Sequence, residues 1–127
     1  MRKEIVASDK VAPPTAPLSH ATRFGNLVFA SGRGGRNPAT GELGKEIREQ
    51  TRFSLEGIKA YLEAANSSLD NVLQTTCYLA KSSDFQAFNE VYGEYFPSQP
   101  PARATVGVSE FMAPGMLVEI SAIACIA

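Results

Sequence analysis

Two charged residues stand inside strand-like runs that are otherwise uncharged. Arg103 lies in Pro101-Ala102-Arg103-Ala104-Thr105-Val106, and Glu119 in Val118-Glu119-Ile120-Ser121-Ala122-Ile123-Ala124. Arginine presents a planar fork that can hold a carboxylate through two parallel hydrogen bonds. A glutamate beside apolar surface can have its pKa raised into the range of a general base. Together they suggest a carboxylate clamp next to a proton-transfer group. Both fall on odd positions. The even positions, Ala104, Val106 and Val108 in one run and Val118, Ile120, Ala122, Ala124 and Ile126 in the other, are apolar. Strand side chains alternate faces. The even positions are therefore expected to pack on helices, and Arg103 and Glu119 to emerge together on the opposite side. The sequence does not give the strand order, and the same pattern also suits a structural ion pair or two interface contacts.

Other chemistries are less well supported. Ser31-Gly32-Arg33-Gly34-Gly35-Arg36 is glycine-rich but lacks the Gly-Lys-Ser/Thr end of a phosphate-binding P-loop. It reads as a surface loop with solvated arginines, or as a loop whose backbone lines a small-molecule pocket. Arg33 and Arg36 could also hold a second carboxylate, which would admit a dicarboxylic substrate. His20 is the only histidine. No serine or cysteine near it makes a nucleophile motif, so a structural role is expected rather than general-base work. One histidine and no Cys-x-x-Cys spacing argue against zinc. Cys77 and Cys125, each flanked by apolar residues, read as buried free thiols of a cytosolic protein.

The elements that must position these groups follow from pattern. The chain has 127 residues, 44% hydrophobic and 20% charged, enough for one domain spanning 1–127 with its own core. A net charge of −1 offers no basic excess for nucleic acid. Met1 to Lys10 has no apolar leader, and no run approaches the ~18 apolar residues of a membrane span. A soluble cytoplasmic protein is expected.

The proline-rich stretch Ala12–Pro17 reads as an extended lead-in. Ser19–Ala30 predicts a hairpin turning at Gly25-Asn26, and Arg33–Gly44 a loop. Ile47, Thr51, Leu55, Ile58, Leu62 and Ala65 recur at helical spacing, and Asn66 and Ser67 end that helix. Asn71–Leu79 predicts a strand. Ser83 and Gln86 form a capping-box signature, opening a helix with Phe85, Phe88, Tyr92 and Tyr95 along its core side. Asn89 points off that side, and Pro97 stops the helix. Arg103–Val108 and Leu117–Ile126 are the last strands. In order, these give three early strands, helix, strand, helix and two strands. That is an α+β fold, one sheet with two helices on one face. Thr105, Gly107, Leu117, Ser121 and Ile123, expected on the other face, are small or apolar, so a second copy of the chain is expected to cover it.

Nearly the whole chain resembles the Rid (reactive intermediate deaminase) family, also called the YjgF-like proteins. The likeness rests on Ala16-Pro17-Leu18-Ser19-His20-Ala21, Gly25–Gly32, Asn37–Leu43, Asp84-Phe85 with Asn89–Tyr92, Pro101–Val106 and Val118–Ala124. It implies a chorismate mutase-like fold assembled as a homotrimer with clefts between subunits. It also implies cofactor-independent and metal-independent hydrolysis of 2-imino or 2-enamino acids to 2-keto acids and ammonia. By position, Arg103 matches the family's carboxylate-binding arginine and Glu119 the glutamate that places water. Ser31 and Gly32 match the loop lining the cleft, and Asn89 a cleft asparagine. Leu18, Thr105 and Arg33 depart from the common tyrosine, cysteine and glutamine. Leu18 removes a hydroxyl, and Thr105 argues against thiol chemistry. The alternatives are a non-catalytic binder of keto acids or similar metabolites, a regulatory protein, or an endoribonuclease. The low charge and single histidine disfavour the last.

Overall fold

The computed structural model describes residues 1–127. Strands β1 (Glu4–Val6), β2 (Ala21–Phe24) and β3 (Leu27–Gly34) lead into helix α1 (Ile47–Ala64). Strand β4 (Val72–Leu79), helix α2 (Phe85–Tyr95), β5 (Ala102–Gly107) and β6 (Val118–Cys125) follow. The strands form one six-stranded sheet in the order β1-β2-β3-β6-β4-β5. β4 and β5 run parallel across α2, and every other pair is antiparallel. Both helices pack on the same face. The expected α+β architecture is the one observed.

Helix α1 with its C-cap Ala65 buries all six residues of the predicted stripe, and Gln50 and Ser54 with them. Its N-terminus is closed reciprocally. The Glu46 carboxylate accepts from the backbone of Arg48 and Glu49, and the Glu49 carboxylate accepts from Lys45 N at 2.8 Å. These bonds satisfy amides that helix geometry leaves unpaired. At its other end Asn66 takes a left-handed φ of 63°, and Ser67 N bonds back to Leu62 O, which ends the helix.

The capping box expected at Ser83 and Gln86 is not formed. Ser82–Asp84 is a 3₁₀ turn, and α2 starts directly from it with Asp84 as N-cap and no side-chain cap bond. Asp84 has φ −86° and ψ −3°, a helical conformation rather than the extended one in which a capping side chain reaches the next turn.

The hairpin at Gly25-Asn26 forms as expected, with Phe24 opposite Leu27. β3 extends to Gly34, beyond the expected loop start at Arg33. A register shift between Ala30 and Arg33 marks a bulge, which turns the strand's alternation over by one residue. Val28, Ala30, Cys77, Leu79, Val118, Ile120, Ala122 and Ala124 meet Leu55, Ile58, Leu62 and Phe88 in the core.

The even-face expectation holds for β6 and fails for β5. The odd residues Thr75, Cys77 and Leu79 of β4 are the buried ones. They pair with Arg103, Thr105 and Gly107 of β5, and with Ala122, Ile120 and Val118 of β6. Paired residues share a face, so the odd positions of β5 look toward the helices and Val106 lies half-exposed on the other side. Nor are both cysteines buried, since Cys77 is and Cys125 is only partly so.

Candidate active site

Glu119 stands on the open face of the sheet. Its neighbours across the strands are Tyr78 of β4 and Gly34 of β3. A Cβ built on Gly32 would lie 2.5 Å from Glu119 Oε2, so the carboxylate occupies the space that any side chain at residue 32 would need. None of the chain's ion pairs involves Glu119. Ser31, at the bulge, donates its hydroxyl to Ser19 O at 2.6 Å and its amide to His20 O at 3.0 Å. These two bonds fix the loop that carries Gly32. Leu18 is half-exposed, and it lines a hollow together with Gly32. Glu119, Gly32 and Ser31 therefore form one local group, and Leu18 borders the adjoining hollow that Gly32 also lines.

Arg103 belongs to a second group, on the opposite face and at the sheet edge. Its guanidinium carbon is 4.7 Å from the ring centre of Tyr92, 5.6 Å from Phe88 and 5.8 Å from Phe85. Ring faces attract a cation at such distances. The platform is firm because Phe88 and Tyr92 are buried and the Tyr92 hydroxyl hydrogen-bonds Thr75 at 2.7 Å. Arg103 has no acidic partner. Phe85 is only half-buried, so the aromatic row read as core is in part a seat for this arginine. Asn89, expected to point off the aromatic side, instead lies on the same helix face one turn from Phe85. The oxygen of Asn89 and the hydroxyl of Thr105 are both buried without a hydrogen-bond partner. Each such atom costs about 1–3 kcal/mol when left unsatisfied.

Arg103 and Glu119 thus do not meet within one chain. β4 lies between their strands, two strand spacings or roughly 10 Å, and they face opposite sides. The expectation that they emerge together fails because a shared parity number says nothing about a shared face until the pairing register is known.

Arg33 also departs from expectation. The bulge turns it to the helix side, where it donates to the Tyr61 hydroxyl at 3.4 Å and to Arg36 O at 3.2 Å. His20 is structural. Nδ1 accepts from Ser8 N and Nε2 donates to Ala12 O, both at 3.0 Å, and the ring stacks on Tyr61 at 4.7 Å. Phe85 and Tyr92 as the seat of Arg103, and Gln50, which accepts from Leu117 N just before the strand of Glu119, are contributions the sequence reading missed. Gln50 was legible, because it falls three residues after Ile47 on the apolar stripe of α1.

The family model described as endoribonuclease L-PSP matches residues 9–126. A RutC family protein of Pyrococcus abyssi is 43% identical over 125 residues, 98% of each chain. A 2-iminobutanoate/2-iminopropanoate deaminase of Dermatophagoides farinae is 35% identical over 109 residues, 85% of each chain. The crystal structure of the YjgF gene product of E. coli superposes with a TM-score of 0.91 at 30% identity, covering 96% of this chain and 98% of that one.

Proposed function

The chain belongs to the endoribonuclease L-PSP family, and from that premise, and from its likeness to a 2-iminobutanoate/2-iminopropanoate deaminase, we propose that it hydrolyses 2-imino acids to 2-keto acids and ammonia. The sites are clefts between copies of a homotrimer. The observation that carries this reading is the separation of an unpaired Arg103, seated on three aromatic rings, from an unpaired Glu119 pressed against Gly32. In a 2-imino acid the carboxylate is bonded directly to the reacting carbon. Such a small molecule cannot span two opposite sheet faces, so Arg103 of one copy and Glu119 of another serve one substrate.

In this cleft Arg103 holds the carboxylate in a bidentate grip. Asn89 and Thr105, beside it, supply polar atoms that the chain itself leaves unmatched. Glu119 takes a proton from water as the oxygen attacks the imine carbon. Protonated Glu119 returns that proton to nitrogen, then carries the adduct's hydroxyl proton to the same nitrogen as the C–N bond breaks, and ammonia leaves with the carbonyl formed. Placement and one general base supply about 3–4 kcal/mol, or roughly 10²–10³-fold.

The test generates 2-imino acids with an amino-acid oxidase in the presence of semicarbazide. The protein is expected to lower semicarbazone yield, and Arg103→Ala to remove the effect. An Arg103→Ala oligomer with unimpaired turnover sinks the proposal. Leu18, which brings no hydroxyl to the Glu119 side, favours a second reading as a non-catalytic keto-acid binder. Saturable keto-acid binding with no loss of semicarbazone across short, branched, aromatic and acidic imines would establish that reading instead.

A further inference from the structure

Arg33 and Arg36 both line a hollow of about 310 Å³ between the Pro13–Ala16 segment and the loop after β3. No aspartate or glutamate lines it, and neither arginine forms an ion pair. Every acceptor they use is neutral. Arg33 donates to the Tyr61 hydroxyl and to Arg36 O, and Arg36 donates to Gly41 O at 3.2 Å. The Arg33 Nε is buried without a partner against Gly57 of α1, so the open donors are those of the terminal nitrogens.

Arg33 and one wall are held in place, and Arg36 stands exposed beside them. The Arg33 stem presses on α1 where residue 57 is glycine, and a Cβ there would lie 2.6 Å from Arg33 Cγ. The opposite wall is tied down by His20, whose ring bonds Ala12 O. A guanidinium has five N–H donors, so both arginines keep donors free after these bonds. Two positive groups held around one hollow without a counter-charge are matched by an anion with several acceptor oxygens.

We infer that this hollow binds an oxyanion through Arg33 and Arg36. The oxyanion has two sources with the same chemistry. One is a free phosphate. The other is the distal carboxylate of a dicarboxylic substrate, since Gly32, which lines the hollow, also lies against Glu119. This second source rests on the deaminase reading, and the first does not.

Titration calorimetry on the full chain tests this, using inorganic phosphate, 2-oxoglutarate and the monocarboxylate 2-oxobutanoate. Saturable binding of phosphate, or of 2-oxoglutarate more tightly than 2-oxobutanoate, is expected. Arg36→Ala and Arg33→Gln, checked for native circular dichroism, are expected to weaken that binding at least ~10-fold, and Arg36→Lys to weaken it less. Phosphate binding assigns a free anion. A 2-oxoglutarate preference lost in both Arg36→Ala and Arg103→Ala assigns the substrate's second carboxylate. Because binding is read without turnover, an inactive protein that still binds either anion defeats the deaminase reading alone. The inference is overturned if neither ligand shows this behaviour, or if folded Arg33→Gln and Arg36→Ala bind as the unaltered chain does.

Discussion

The close approach of Gly32 to Glu119 makes one hydrogen atom a determinant of the site. Only glycine leaves room for the carboxylate where it stands. Gly32→Ala is expected to push the Glu119 carboxylate away, since the end of a glutamate moves more easily than two paired strands. Stability should stay within about 1 kcal/mol while kcat falls ~10–100-fold. Urea unfolding and the semicarbazide assay read the two effects separately, and equal activity would show that Glu119 is not held at its working position. Glu119→Gln tests the proton transfer itself, with kcat expected to fall ~10²–10³-fold and KM to change little. A retained kcat would remove the glutamate from the chemistry.

At the level of elements, Gln50 ties three pieces of chain together. Its amide donates to Gly44 O at 3.0 Å and Gly115 O at 2.9 Å, and its oxygen accepts from Leu117 N at 2.7 Å. Leu117 directly precedes the strand that carries Glu119. Gln50→Leu keeps the bulk and strands an amide and two carbonyls, so about 2–4 kcal/mol of unfolding free energy should be lost. A loss below measurement error would mean that solvent replaces these bonds. Cys77, under α2, gives a pH signature. Burial, the dominant cause, pushes its thiol up from 9.0 to about 11, while Thr75 and Arg103 pull it down less. The unfolded chain therefore releases this proton first. The contribution of Cys77 is full below its ordinary value and is lost as pH climbs through the folded one. Cys77→Ala should flatten the fall in unfolding free energy between about pH 9 and about pH 11, and an unchanged slope would place that fall on other groups.

The elements themselves were legible. α1, the hairpin and β6 follow from periodicity and turn residues that packing did not override. What the sequence hid was relative placement. Arg103 and Glu119 stand out as charges in apolar strands, yet their faces depend on which β4 residues each strand pairs with. Arg33 was misplaced because a one-residue bulge leaves no composition signal beyond the glycines beside it. The cap of α2 was misread because Ser83 became part of a 3₁₀ turn.

For the whole molecule, Leu27, Phe29, Leu73 and Val106 are half-exposed and apolar, and Glu119 shares the open face. A second copy over that face would bury this apolar surface and bring an Arg103 to Glu119. Complementation tests this. Arg103→Ala and Glu119→Gln chains, each inactive alone, are expected to regain activity once unfolded, mixed in equal amounts and refolded together. Random assembly makes about a quarter of the sites whole. No recovery in mixed oligomers would mean that each site draws on one chain.

The opposed faces of Arg103 and Glu119 also carry a genetic consequence. Where each copy lends its arginine to one cleft and its glutamate to the next, a chain altered at one of these residues silences a single cleft of its trimer. A chain altered at both silences two. An allele altered at Arg103 and one altered at Glu119 should rescue one another in a cell that carries both, and the double allele should be partly dominant over the unaltered gene.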